Sequence, residues 1–299
     1  MATPLLKRIK IATVSVPDLD QAKDIYKQWL GYKAVEAGKI SAEVATLWGA
    51  PAMAGRRFAT LQPASKTDVY IRLVEIERVG NYRAMTTWGW NSVEIVCEDP
   101  EKLHAKLGKS PFMIVGKPRR LKGYPTICAT QVRGPGNEIL YLTADLGNPG
   151  TGLLPKPGAT VGRPFIMVLA TGDAEGTRNW YCDTFKMKRN PINGNPVDII
   201  QDAQALPPTH EFPLTIASLA DHGNLIEIDG YPALTGPRMR NHGQLPPGVA
   251  MTSFGVKSLD AFKLQWLSTP VTLKSAGYEG KRAACAVGPA GEIIELIEE

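Results

Sequence analysis

The feature that most constrains this 299-residue chain is that it repeats itself at an interval of about 155 residues. The stretch IKIATVSVPDLDQAKDIYKQWLGYK begins at Ile9, and PFIMVLATGDAEGTRNWYCDTFKMK begins at Pro164. Aligned, they pair Ile11 with Ile166, Asp18 with Asp173 and Tyr26 with Tyr181. Each reads as an apolar strand, an Asp at a helix N-cap, and a helix with apolar residues at helical spacing. In the first copy that face is Ala22, Ile25, Tyr26, Trp29 and Leu30, and Gly31 is a stop signal. VYIRLVEI (69–76) and NLIEIDGY (224–231) hold the same spacing, so Arg72 pairs with Glu227. GPGNEILYL (134–142) and GPAGEIIEL (288–296) pair Tyr141 with Glu295, one residue closer. A fixed spacing over so many landmarks indicates duplication of one folding unit.

Each half divides again. NSVEIVCEDPEKLHAKLG (91–108) and MTSFGVKSLDAFKLQWLS (251–268) repeat the order strand, acidic cap, helix. Each precedes strand-like runs, a Gly-rich turn and a last strand. The chain therefore reads as four βαβββ units of α+β class. Expected boundaries are an N-terminal domain at 1–146, a Gly- and Pro-rich linker at 147–163, and a C-terminal domain at 164–299.

Composition narrows the function. A net charge of +5 is mild, and the tightest basic group, KPRRLK (117–122), reads as a solvated loop. No basic-aromatic stripe for nucleic acid is present. No apolar run approaches the roughly 20 residues needed to span a bilayer. The N-terminal residues lack the apolar core of a signal peptide. The four cysteines form no CxxC pair, so a cytoplasmic protein with buried, reduced thiols is expected.

A strand, then VPDLDQAKDIYKQWLGY, three strands, and a terminal G-x-x-I-E-L strand resembles the vicinal oxygen chelate superfamily of glyoxalases, epimerases, drug-resistance proteins and extradiol dioxygenases. The resemblance covers nearly the whole chain. It implies two paired barrels, and its four-unit length is similar to that of two-domain extradiol dioxygenases. It also implies metal-ligand positions on the first and last strands of each unit. In the N-terminal half these hold Ile11, Arg72, Ser92 and Tyr141; in the C-terminal half, Ile166, Glu227, Met251 and Glu295. A divalent iron site needs imidazole and carboxylate ligands, which neither set supplies, so no metal and no cofactor is expected.

In this reading Glu227 and Glu295 share a C-terminal cleft without a cation. Burial and mutual repulsion should raise their pKa values, suiting them to proton transfer. His210 is a third catalytic candidate. Expected substrate contacts are Arg72, Tyr141, Trp48, Trp90, Met251, Ile166 and His242. Arg72 can pair with a carboxylate, Tyr141 can donate to an oxyanion, and LWGAPAMAGRRF (47–58) reads as a loop closing over the cleft. The expected function is a metal-independent isomerase or lyase acting on a small, apolar carbonyl or phenolic compound, with an aromatic substrate favoured. An extradiol-type dioxygenase with an atypical metal site and a non-catalytic small-molecule binder are the alternatives. No nucleic-acid or membrane partner is expected, and a homodimer is compatible with this class.

Overall fold

A computed structural model describes residues 3–299. All four units form, and their order along the chain is clear. The first holds β1 (Leu6–Val16), α1 (Leu19–Ile25), β2 (Lys33–Lys39), α2 (Ala42–Leu47), β3 (Arg57–Gln62) and β4 (Tyr70–Glu75). The second holds β5 (Gly89–Cys97), α3 (Pro100–Leu107), β6 (Met113–Leu121), β7 (Tyr124–Arg133) and β8 (Ile139–Asp145). The third holds β9 (Val161–Thr171), α4 (Ala174–Phe185), β10 (Asn193–Asn195), α5 (Asp198–Gln204), β11 (Phe212–Ser218) and β12 (Leu225–Gly230). The fourth holds β13 (Gly248–Val256), β14 (Val271–Leu273), β15 (Lys281–Val287) and β16 (Ile293–Glu298).

Local chemistry starts the helices as the sequence implies. Asp18 accepts from the Gln21 amide, Asp99 from the Glu101 and Lys102 amides, and Asp173 from the Gly176 amide. Gly31 ends the first helical segment with φ of 77°, where a side chain would be strained. The fourth unit departs from expectation. After Ser258 only one 3₁₀ turn forms, Leu259–Ala261. Beyond it Trp266 bridges to Ala286 and the Leu267 amide donates to Cys285, so the chain runs extended beside β15. Leu264 and Trp266, two residues apart, both pack on the core, which is strand spacing and not helix spacing.

The sheets do not divide where the repeat suggests. One has the order β14-β15-β16-β13-β1-β4-β3-β2, and the other β10-β11-β12-β9-β5-β8-β7-β6. The first unit therefore shares a sheet with the fourth, and the second with the third. The central contacts are antiparallel, β1 on β13 and β5 on β9. This corrects the expectation that residues 1–146 and 164–299 each enclose a cleft. The expected linker also ends early, because β9 already starts at Val161.

The two units within each sequence half still interlock through a helix. Tyr26, at the end of the first helix, donates to Glu138 at 2.7 Å, and the Gly136 amide donates to the same carboxylate at 2.7 Å. The repeat reproduces this clamp: Tyr181 donates to Glu292 at 2.8 Å, and the Ala290 amide also at 2.8 Å. The glutamate common to both GP-turn motifs is thus a buried structural acid. Burial is the main influence on each and pushes it up to about 7. The four cysteines are free and buried. Among the described residues no helix is long and apolar enough to cross a membrane.

Candidate functional site

Each sheet curls around its own cleft, and strand register fixes what faces inward. In the first sheet, one row across the strands is Tyr70, Ile11, Ser253, Glu295 and Cys285. The next row is Thr60, Arg72, Thr13, Met251 and Ile293. Residues in one row point to the same face, and rows two residues apart share it. Arg72 and Glu295 therefore meet, although 223 residues separate them. Their ion pair measures 3.2 Å, with side chains 3 % and 0 % exposed.

Every polar atom around this pair is engaged. Tyr278 donates to Glu295 Oε1 at 2.8 Å, and the Trp48 indole donates to the same atom at 3.1 Å. Ser253 bonds Oε2. Arg72 donates to Thr13 through Nε and Nη2 and to Tyr278 through Nη1. The guanidinium carbon lies 4.5 Å from the centre of the Trp48 ring, a cation–π contact. Burial works against the Arg72 charge, but Tyr278 and Glu295 outweigh it and hold its pKa above the ordinary value. Burial drives the Tyr278 phenol well above its usual range.

The first cleft is thus filled by its own side chains. Glu295 is not the cation-free acid expected, because sheet pairing brings it Arg72. The stretch 47–58, expected to close over the cleft, instead runs from the end of α2 through a 3₁₀ turn at Pro51–Met53 into β3, and packs Trp48, Ala50 and Met53 inside. Met251 is buried in the same cluster. The chain around His242 covers this side, with the Ala52 amide donating to Gly243 and the Glu77 amide to Gln244. His242 itself is exposed.

The second cleft is built differently. One inward row is Leu225, Ile166, Glu94 and Tyr141. The next is Glu227, Val168, Ser92 and Ile139. Asp229 and Ala170 follow. Glu227 meets Glu94, Asp229 and Tyr141, not Glu295. Sequence reasoning missed Glu94 and Asp229. They lie two residues beyond Ser92 and Glu227 on the same faces, and period-two spacing from those positions was the available signal.

No salt bridge reaches Glu94, Glu227 or Asp229 among the described residues. Thr143 donates to Glu94 Oε2 at 3.1 Å. Neither Asp229 oxygen has a donor. Glu227 is half-buried, whereas Glu94 and Asp229 are buried. Burial, then repulsion from Glu227, pushes Glu94 up to about 8. Burial pushes Glu227 up to about 7, with the neighbouring Asp229 carboxyl working against it. Asp229 is raised well above the usual carboxyl range by burial and then by Glu227. The Tyr141 phenol is raised by burial and by all three acids.

An apolar wall of Met85, Ile139, Ile199, Phe212 and Tyr231 packs with Tyr141. A cleft of about 300 Å³ opens against it, lined by Tyr82, Met85, Ile139 and Ile199 and by the charged Arg83, Arg133 and Asp202. The His210 ring stands 4.7 Å from Phe212, which in turn packs on Tyr231, so His210 lies at the rim behind two aromatic rings. Ile166 lines the far end beside Val168 and Phe165. Trp90 belongs to neither cleft. It is 1 % exposed, donates to the Ile293 carbonyl at 2.8 Å and packs on Phe254 in the main core.

Two eight-stranded sheets, each built from a pair of βαβββ units around a cleft, are the vicinal oxygen chelate fold. Among solved structures, glyoxalase I from Zea mays superposes with a TM-score of 0.64 at 16 % identity, covering 97 % of this chain and 92 % of that one. A putative dioxygenase from Bacillus subtilis also gives 0.64, at 10 % identity, covering 99 % of this chain and 86 % of that one. No family model and no curated protein matches the sequence.

A divalent metal, which this fold implies, does not fit the residues present. In the first cleft the ligand positions hold Ile11, Met251 and a guanidinium, and Glu295 has spent its lone pairs on four donors. In the second they hold Ile166, Ser92, Tyr141 and one glutamate, without an imidazole. No group of three His, Cys, Asp or Glu among the described residues is arranged to hold an ion.

Proposed function

We propose that this chain is an isomerase or lyase that moves a proton on a small, largely apolar carbonyl or phenolic compound in the second cleft. The observation that carries this reading is that Glu227 and Glu94 face one cleft from the strands on either side of β9, with burial raising both carboxyls toward neutrality. Such a pair holds one acid protonated and one ionised at neutral pH, which matches a general acid to a general base. Ionised Glu227 takes the proton from the carbon next to a carbonyl, and the electron pair moves onto the oxygen. Protonated Glu94 delivers its proton to that oxygen, with the Tyr141 hydroxyl hydrogen-bonding it. In an α-hydroxy carbonyl compound, Glu227 returns its proton to the former carbonyl carbon while the adjacent hydroxyl gives a proton to Glu94, which completes an isomerisation. Where the carbon β to the carbonyl bears a leaving group, its departure as the enol proton returns to Glu94 re-forms the carbonyl and completes an elimination. The apolar wall keeps water from the enolate. Positioned proton transfer of this kind contributes about 10²–10⁴-fold.

Deuterium uptake from D₂O into 2-hydroxyacetophenone, followed by NMR, tests the reading. The wild type should catalyse exchange. Glu227→Gln and Glu94→Gln should each lose at least about 100-fold while melting as cooperatively as the parent. Unchanged exchange in both variants refutes the mechanism.

A further inference from the structure

The two clefts are built on one plan and differ in charge. In the first, one carboxylate is matched by one guanidinium, and aromatic side chains surround the cation: Trp48 at 4.5 Å and Tyr278 at 5.7 Å from the guanidinium carbon. In the second, Glu227 stands at the position that repeats Arg72, and Tyr141 at the one that repeats Glu295. The cation has gone and Glu94 and Asp229 have been added. Aromatic rings remain, supplied by Tyr141, Tyr231 and Phe212.

Unpartnered polar atoms beside the acids point the same way. Ser92 is 0 % exposed, faces inward in the Glu227 row two residues from Glu94, and its hydroxyl has no partner. Asn91 is 1 % exposed; its amide nitrogen donates to the Tyr231 hydroxyl, and its oxygen is left without a donor. Both Asp229 oxygens are likewise buried without a hydrogen-bond partner. Buried polar groups left unmet carry a desolvation penalty, so a ligand that hydrogen-bonds them recovers that energy.

We infer that the second cleft binds an organic cation, a protonated amine carried on a small aromatic body, with the ammonium set among Glu227, Glu94 and Asp229. Arg72 in the first cleft is the internal counterpart of that ligand. The ammonium supplies donors to the acids and to Ser92 or Asn91, and the aromatic body rests on Met85, Ile139 and Ile199 where the cleft opens. This names a substrate class for the site of the proposed proton transfer and rests on that cleft being the reactive one.

Calorimetry on the intact protein with 2-phenylethylamine, 2-phenylethanol and phenylacetate tests it. The amine should bind at least about tenfold more tightly than the alcohol, and the carboxylate should not bind. Glu227→Gln and Asp229→Asn, near-isosteric changes, should each weaken the amine at least about tenfold and leave the alcohol unchanged. Equal affinity for amine and alcohol, or amine binding untouched in both variants, overturns the inference. So does Mn²⁺ alone binding in the micromolar range and excluding the amine, which would make the cation inorganic. The two proposals fail separately. Deuterium exchange on the neutral ketone without amine binding sinks only the ligand class, and amine binding without exchange sinks only the mechanism.

Discussion

Replacing Arg72 with methionine should unfold the protein far more readily than its single lost ion pair suggests. Arg72 and Glu295 are 3 % and 0 % exposed, so neither charge has water to fall back on. Removing one partner of a buried pair leaves the other desolvated, at a cost of about 3–5 kcal/mol. Loss of the stacking over Trp48 at 4.5 Å adds about 1–2 kcal/mol. Against this, methionine refills part of the volume. A net loss of about 4 kcal/mol is expected, read as a lower urea midpoint at constant slope, or as a melting temperature reduced by roughly 10 °C. The double change Arg72→Met with Glu295→Met removes both charges and should recover most of the loss, since apolar replacement of a buried pair is often neutral or better. A single Arg72→Met change costing under about 1 kcal/mol, or a double variant no more stable than the single, would refute the account of the first cleft as a closed, charge-matched core.

Two further outcomes follow from the buried acids and their clamps. Glu138 and Glu292 move from an ordinary 4.5 to about 7 on folding, so the native state holds more protons than the unfolded chain between those values. Stability should therefore fall as pH rises from about 5 to 8, by about 3 kcal/mol for each acid, with Glu94 and Glu227 acting in the same direction. Exposed acids with lowered pKa values, such as Glu77 and Asp99, act only below that window. A melting temperature that is flat or rises from pH 5 to 8 contradicts this, and Glu138→Gln should reduce the slope. Tyr26→Phe and Tyr181→Phe remove equivalent hydrogen bonds to buried acids, so each should cost about 1–3 kcal/mol and the two should match within about 1 kcal/mol in urea titrations.

The sequence alone determined the units and their local chemistry. A repeated strand–cap–helix pattern specified four modules, because Asp18, Asp99 and Asp173 satisfy helix amides within their own segments. The family resemblance singled out Arg72, Tyr141, Glu227 and Glu295 as inward positions, and strand register bears that out. The sequence could not choose which units share a sheet. Four units with near-identical edges and patterns are locally interchangeable, and strand pairing across 150 residues or more leaves no local trace. Only tertiary structure decided that the first unit joins the fourth. That joining gave Glu295 a guanidinium, and the joining of the second unit to the third set Glu94 beside Glu227. It also carried Trp48 from an apparent loop to a hydrogen bond with Glu295. A carboxylate's chemistry is set by the charges and water it meets in space, so the same residue type is a closed structural contact in one cleft and an open acid in the other.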